Sequence, residues 1–246
     1  MKLKFVRAPE DAREPYSGKK LTDEKIKDVE EWKEGFEKAW KPLEQKVLTA
    51  LTEETKLQWD LPELQCNVIY RFKRNWQSGW SNPLTLSAYQ KNNKKNDYKK
   101  ALGCIVEELA HNLMQVQNDF DRDKYRDENF KGKNPRMANH VAIFALVKKV
   151  FEKVPELGTY EYFEKTNTTG PAKTYKRAAE EVKKSDYNKL LTEALTYCKP
   201  RSEEEKETVL IGDLGEPIYG KNFQKEYVKK ELQRIKKFNK NETYRK

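Results

Sequence analysis

Several residue types are scarce in this chain of 246 residues, and each scarcity excludes a class of protein. Cysteine occurs three times, at positions 66, 104 and 198, without a CxxC spacing. The sequence therefore contains neither a zinc ribbon nor a thioredoxin-type redox motif, and so few thiols suit a reducing compartment. No run of about 18 apolar residues is present, so we expect no membrane-spanning helix.

The N-terminal residues also lack the apolar stretch of a signal peptide, because Lys2, Lys4 and Arg7 interrupt them at once. We therefore expect a soluble, cytoplasmic protein that has no membrane partner. Thirteen tyrosines and five tryptophans stand beside 37% charged residues. Because aromatic side chains bury large areas, this composition indicates a folded protein with a modest core and a heavily charged surface.

Histidine is the scarcest of these residues, since only His111 and His140 are present. Imidazole is the commonest protein ligand for zinc, and its pKa lies nearest to neutral pH. His111 closes the run Glu107-Glu108-Leu109-Ala110-His111 inside one apolar helical segment, and His140 opens a second one. This placement favours a metal site, and two helical histidines without a special role are the alternative.

The spacing of apolar residues predicts where helices and strands lie. Residues 26–51 carry an apolar side chain every three or four positions, which predicts a long helix kinked or split at Pro42. Residues 65–72 and 84–88 have the β-branched or alternating character of strands. Later in the chain the pattern predicts three further helices, over residues 98–119, 138–153 and 171–197.

A polar loop is expected over residues 121–137, and a break in the last of these helices at Ser185-Asp186. The strands cluster in one region with helices on both sides, so the fold class is α+β, helix-dominant, with a small sheet flanked by helices. We expect three parts, namely a flexible N-terminus (residues 1–20), a single α+β domain (residues 21–220) and a basic C-terminal helix or tail (residues 221–246).

The run E-E-x-x-H brings acidic and imidazole side chains together on one helix face. Residues four apart in a helix are neighbours, so Glu107 and His111 are able to converge on one ion, and Glu108 lies beside His111 at a spacing of three. In the related pattern H-E-x-x-H of zinc peptidases, two histidines bind the metal and the glutamate polarises the attacking water. A solvated acidic face is the alternative for this run taken alone.

The surrounding sequence resembles the zincin-like metallopeptidase family in a divergent form. In that family an edge strand precedes the helix that bears H-E-x-x-H, and a downstream helix supplies the third ligand. The matching segments here are Ser-Asn-Pro-Leu-Thr-Leu (residues 81–86), Val-Glu-Glu-Leu-Ala-His-Asn (residues 106–112) and Asn-His-Val (residues 139–141). The resemblance covers residues 65–153.

The resemblance implies a zincin-like core and a zinc-dependent hydrolase that acts on a peptide or protein substrate. His111 matches the second motif histidine, a metal ligand, and Glu108 matches the glutamate that acts as general base. His140 takes the place of the downstream third ligand. Glu107 departs from the pattern, because it stands where the family has its first histidine.

Zinc also accepts carboxylate oxygen, so Glu107, His111 and His140 form a two-histidine, one-carboxylate ligand set with an open position. The same set suits iron or manganese by ligand type. The alternative is that the metal was lost while the helix was kept, which leaves a catalytically inactive module for binding or structure.

The positive charge of the chain is concentrated at its C-terminal end. Residues 221–246 contain ten lysines or arginines and three glutamates, so they carry +7 of the net +10. Cations interleaved with apolar residues suit a surface that binds phosphates, whereas the rest of the chain has only +3. A basic, nucleic-acid-associated helical protein is therefore a third reading, with weak contact to nucleic acid or an acidic surface through this tail.

We predict that the tail gives salt-dependent retention on heparin. Truncation after Gly220 removes +7 of the net charge, so the shortened protein is expected to elute at clearly lower salt than the full chain. Elution of both proteins at the same salt concentration would show that the tail does not bind polyanions.

Overall fold

The computed structural model describes residues 1–7, 21–70, 79–81, 84–90, 94–167 and 173–200. Within them the chain forms eight α-helices and six β-strands, which confirms the helix-dominant α+β class. The helices are α1 (Asp23–Trp40), α2 (Glu44–Thr55), α3 (Tyr98–His111), α4 (Arg122–Asn129), α5 (Pro135–Lys153), α6 (Tyr160–Asn167), α7 (Lys173–Lys184) and α8 (Tyr187–Leu195). The strands are β1 (Lys2–Arg7), β2 (Glu63–Ile69), β3 (Gly79–Ser81), β4 (Leu84–Ser87), β5 (Asn118–Phe120) and β6 (Cys198–Pro200).

Four of these strands form one sheet in the order β1-β2-β4-β3. β1, β2 and β4 run parallel, and the register pairs Phe5 with Cys66 and Asn67 with Thr85. β3 runs antiparallel to β4, while β5 and β6 form a separate antiparallel pair. Because parallel neighbours need a crossover connection, α1 and α2 lie between β1 and β2 in the chain.

The expectation that residues 1–20 are flexible is wrong for Lys2–Arg7, which form β1 and pair with β2 along their whole length. Leu3 and Phe5 are buried while Lys2 and Lys4 are exposed, so the segment has the period of two that is typical of a half-buried strand. The polar residues that suggested flexibility are the solvent face of this strand. Residues 8–20 lie outside the described part of the chain.

The apolar stripe over residues 26–51 forms two helices, and the predicted break at Pro42 is confirmed, since α1 ends at Trp40 and α2 begins at Glu44. The rings of Trp32 and Phe36 stack with their centroids 5.1 Å apart, and Phe36 meets Phe5 edge to face at 5.4 Å. These aromatic contacts pack α1 against β1.

The helix expected over residues 98–119 is α-helical only as far as His111. A π-helix (Asn112–Gln117) follows, and β5 comes directly after it. Side-chain amides form hydrogen bonds within this segment. Asn118 Nδ2 donates to the carbonyl of Leu113 at 2.9 Å, and Gln117 Nε2 donates to Asn112 Oδ1 at 3.2 Å. Amide side chains of this kind compete with regular helix hydrogen bonds, and apolar spacing does not detect them.

The prediction of a loop over residues 121–137 is also wrong, because this segment contains α4 and the first turn of α5. Asp121 caps α4 by accepting a hydrogen bond from the backbone N–H of Lys124 at 3.0 Å. Tyr125 is the one buried residue of α4, so an apolar stripe is missing from its sequence. The Asp121 cap and the burial of the Tyr125 ring therefore stabilise this helix.

The α5 helix is the centre of the helical layer. Thirteen of its nineteen residues are buried, and it contacts α2, α3, α4, α6, α7 and α8. Asn134 caps its N-terminus by accepting from the N–H of Arg136 at 2.9 Å, and Pro135 occupies the first turn. A helix that is apolar on nearly all sides must be enclosed, so any polar side chain on it is drawn into the interior.

The helix expected over residues 171–197 is divided into α7 and α8, and the predicted break at Ser185-Asp186 is confirmed. Asp186 caps α8 by accepting from the N–H of Asn188 at 2.9 Å. The basic segment over residues 221–246 and the domain boundary at residue 220 lie outside the described residues and stay predictions. No helix in the described ranges has the length and apolar character needed to cross a bilayer.

Because α5 is enclosed, replacing one of its buried side chains by alanine is expected to lower the free energy of unfolding more than the same replacement at a partly buried position. Leu146 on α5 is fully buried, whereas Leu195 at the end of α8 is only partly buried. We expect Leu146→Ala to lower the free energy of unfolding by about 2–5 kcal/mol, because it leaves a cavity in the fully buried interior. Leu195→Ala removes the same atoms and serves as the control, with an expected loss of about 1 kcal/mol. Equal losses in urea denaturation would contradict the central position of α5.

Candidate metal centre

Two helices bring three ionisable side chains to one place. Glu107 and His111 are one turn apart on α3, and His140 lies in the second turn of α5, which packs against α3. Glu107, His111 and His140 each offer one ligand atom, and these atoms all lie within 4.8 Å of one another. The convergence that the predicted ligand set of Glu107, His111 and His140 requires is therefore present.

The three side chains are almost closed off from solvent, with exposed fractions of 5% for Glu107, 7% for His111 and 5% for His140. His140 Nε2 lies 3.8 Å from Glu107 Oε1, which is too long for a hydrogen bond. The two imidazole rings meet at an angle of 71° with their centroids 5.0 Å apart. We call these three residues the Glu-His-His cluster.

The protonation of His140 follows from its hydrogen bond. His140 Nδ1 lies 2.7 Å from the backbone carbonyl of Arg136, one turn earlier in α5. Because a carbonyl oxygen only accepts, Nδ1 carries the hydrogen. Burial lowers the pKa of His140 to about 4, so the ring is neutral at pH 7. Its Nε2 therefore presents a lone pair toward Glu107, in the state that a metal ligand needs.

His111 is also a neutral imidazole. Burial, followed by the neighbouring His140, lowers the pKa of His111 well below its ordinary value. Its Nδ1 lies 3.0 Å from Gln115 Nε2, and the same nitrogen of Gln115 lies 2.7 Å from Asn139 Oδ1. Gln115 thus links the histidine of α3 to the residue that precedes His140 on α5.

Glu107 and Glu108 are two adjacent carboxyl groups without a positively charged partner among the described residues. Burial raises the pKa of Glu107 to about 8. The half-buried Glu108 has its pKa raised well above the ordinary value by burial and then by Glu107. Across the described residues, no lysine or arginine forms an ion pair with either carboxyl group. A cation would stabilise both carboxylates, since no lysine or arginine of the described residues does so.

The donor set fits a divalent cation. Zinc bonds to histidine nitrogen and carboxylate oxygen at about 2.0–2.2 Å, so ligands of one tetrahedral ion lie roughly 3.3 Å apart. To reach this spacing, His140 Nε2 and Glu107 Oε1 would have to approach by roughly 0.5 Å, and no pair of ligand atoms in the Glu-His-His cluster by more than roughly 1.5 Å. His140 already has its Nε2 bare, and Glu107 has no competing cation. Glu108 is not among the convergent ligand atoms, which agrees with the different role that the sequence suggested for it.

Two aromatic rings pack against His140. The ring centroid of Tyr175, on α7, lies 4.1 Å from that of His140, and the centroid of Phe144 lies 5.6 Å from it. Burial raises the pKa of Tyr175 well above its ordinary value, and Glu107 and Glu108 raise it further. The phenol is therefore a neutral O–H donor near the two carboxyl groups at pH 7.

Sequence reasoning missed Gln115, Asn139 and Tyr175 as members of the site. Gln115 follows His111 by four residues, so its spacing was a usable signal, and Asn139 adjoins His140. Tyr175 lies 35 positions after His140 in a different helix, and no pattern in the sequence connects them.

Comparisons of the chain with protein-family models, with curated proteins and with solved structures find no match. The resemblance to zincins therefore depends on the residues and their geometry alone.

The buried carboxyl of Glu107 predicts a pH-dependent stability. Its pKa is about 8 in the folded chain against 4.5 for the ordinary group, so its ionisation opposes folding increasingly as the pH rises from about 4.5 to 8. Glu107→Gln removes this effect. In metal-free protein we expect the variant to be more stable than the parent by about 1–3 kcal/mol at pH 8, and by much less at pH 5.

Thermal unfolding in the presence of a chelator measures this difference. Glu34→Gln is the matched control, since Glu34 is exposed on α1 and the same substitution there should change stability little at either pH. A loss of stability in Glu107→Gln at pH 8 would show that favourable contacts already stabilise the Glu107 carboxylate in the metal-free protein.

Proposed function

We propose that this chain is a zincin-like, metal-dependent hydrolase of peptide or protein substrates. In this proposal Glu107, His111 and His140 hold the metal, and Glu108 is the general base. The observation that carries it is the bare Nε2 of a neutral, buried His140, which faces a buried carboxyl without a cationic partner.

The order of elements along the chain supports this proposal. α3 with the E-E-x-x-H run follows β4, the strand that was expected over residues 84–88 and matched to the edge strand of zincins. β4 lies inside the sheet, between β2 and β3, so the expectation of an edge strand there is wrong and the edge position belongs to β3. His140 comes from the downstream helix α5. The chain order of a strand, the motif helix and the helix of the third ligand is the one that the resemblance to zincins implies, although that strand is not at the edge of the sheet.

A bound divalent cation supplies Lewis acidity toward a substrate carbonyl. The residues of the chain supply the ligand atoms and set their protonation states. The Arg136 carbonyl fixes His140 in the tautomer that has a free Nε2, and Glu107 contributes the single negative charge of the ligand set. Zinc suits two imidazoles and a carboxylate, and iron or manganese is compatible with the same donors.

Glu108 has the properties of a base that works only when a cation is present. Its pKa is raised well above the ordinary value by burial and by Glu107, so the cation-free site favours its protonated form. Positive charge next to it favours the ionised form. The carboxylate of Glu108 is then able to take a proton from an attacking water molecule, which is the role of a general base.

The depth of the cluster favours a second candidate function. All three ligand residues are at most 7% exposed, and closed, fully enclosed sites are typical of structural metals. Glu107 in place of histidine also adds an anion that weakens Lewis acidity. In this second reading the ion stabilises the packing of α3 against α5, and the chain is a catalytically inactive binding or structural module.

Substitutions at positions 107 and 108 distinguish these two functions. We expect Glu107→His to rebuild H-E-x-x-H, so that zinc affinity in equilibrium dialysis holds or rises and hydrolysis of an unstructured peptide increases over the parent. Glu108→Gln in the same background should abolish the gain while zinc stays bound, since it removes only the base.

Each failure has a defined meaning. Retained zinc without any hydrolysis in Glu107→His supports the structural module. If Glu107→His binds no zinc, the backbone does not present convergent ligands at positions 107, 111 and 140, and the hydrolase proposal falls. Dialysis of the parent protein against zinc, manganese and ferrous iron in turn identifies the preferred metal.

A further inference from the structure

His111 and His140 are held in different ways, although both are buried. The Nδ1–H of His140 donates to a backbone carbonyl, which cannot reverse its role. Nδ1 of His111 instead meets the side-chain amide of Gln115 at 3.0 Å. An amide offers a donor at one end and an acceptor at the other, so a half turn of the amide plane reverses its role.

As the structure stands, Gln115 Nε2 lies 3.0 Å from His111 Nδ1 and 2.7 Å from Asn139 Oδ1. An amide nitrogen has two hydrogens and is able to donate to both neighbours. Nδ1 of His111 is then the acceptor, so the neutral ring carries its hydrogen on Nε2. That hydrogen prevents Nε2 from binding a cation.

A second arrangement occupies the same positions. When the amides of Gln115 and Asn139 both turn by half a turn, Gln115 Oε1 accepts hydrogen bonds from His111 Nδ1–H and from Asn139 Nδ2. The links between the three side chains are preserved, and Nε2 of His111 becomes bare. The two arrangements have the same number of links among these three groups, and the direction of those links is reversed.

We propose that Gln115 and Asn139 are a positioning pair whose hydrogen-bond direction sets the tautomer of His111 and thereby the readiness of the cluster for a cation. This inference rests on the proposed metal-dependent function for its consequence, but the pair and its two directions are properties of the metal-free protein. The π-helix (Asn112–Gln117) contributes by holding Gln115 between α3 and α5. Such single π-helical turns recur at functional sites.

Two nearly isosteric variants test the direction of the hydrogen bonds. Gln115→Glu has only acceptors when ionised, so it holds His111 as the Nδ1–H tautomer with a bare Nε2, and Asn139 turns its Nδ2 toward the new carboxylate. Asn139→Asp also has only acceptors when ionised, and it therefore keeps the Gln115 NH₂ group between itself and His111. Nδ1 of His111 then stays an acceptor, and its Nε2 keeps the hydrogen.

Both variants add one negative charge beside the cluster, so simple attraction predicts tighter zinc binding in both. The positioning pair predicts opposite effects. We expect zinc affinity to rise about tenfold or more in Gln115→Glu and to fall about tenfold or more in Asn139→Asp, in line with the usual effect of residues that orient metal ligands. A rise of similar size in both variants would overturn the inference in favour of electrostatics alone.

The decisive readout uses metal-free protein. Long-range ¹H–¹⁵N correlation spectra of the histidine rings distinguish the two neutral tautomers, and His140 serves as the internal standard because its Nδ1–H is fixed. We expect the Nδ1–H form of His111 in Gln115→Glu and the Nε2–H form in Asn139→Asp. The same tautomer in both variants would overturn the inference, whatever their affinity for zinc.

This readout separates the inference from the proposed function. Opposite tautomers without zinc binding in any variant would confirm the positioning pair and overturn the metal site. If either variant does not fold, Gln115→Met replaces it. Loss of the amide should leave His111 as a mixture of both tautomers, and a single retained tautomer would show that Gln115 does not control the ring.

Discussion

The hydrogen bond from His140 Nδ1 to the carbonyl of Arg136 is the interaction on which the site depends. α5 is apolar on nearly every side and packs among six other helices, so its residue His140 lies in the interior together with the apolar side chains of the helix. A buried imidazole is costly unless its N–H finds an acceptor, and the carbonyl one turn earlier provides it. The other nitrogen is then left with a lone pair that faces Glu107. The packing of an apolar helix thus determines the state of a polar group.

Charge balance is the second constraint on this region. Glu107 and Glu108 are consecutive, both have raised pKa values, and neither forms an ion pair with a lysine or arginine of the described chain. Burial favours the protonated form of both carboxyl groups, whereas a cation beside them would favour the ionised form. Cation binding, protonation and folding stability are therefore linked through the same two side chains.

The sequence predicted those parts of the site that follow from helix spacing. The interval of four between Glu107 and His111 placed both on one face, and the zincin resemblance brought His140 to them. The helix over residues 98–119 was drawn too long, because the amides of Asn112, Gln117 and Asn118 change the hydrogen bonding after His111. Gln115 was missed although it follows His111 by four residues, and Tyr175 was missed because only tertiary packing brings α7 to His140. β1 was hidden by lysines that form its solvent face.

Calorimetric titration of metal-free protein with zinc at pH 7, in buffers of different ionisation enthalpy, tests the central claim most directly. The account predicts one ion per chain, bound with release of one to two protons, because Glu107 has a pKa of about 8, burial also favours the protonated form of Glu108, and both histidines are already neutral. Binding should be lost in His140→Ala. Binding that persists unchanged in His140→Ala, or no stoichiometric binding to the parent protein, would contradict it.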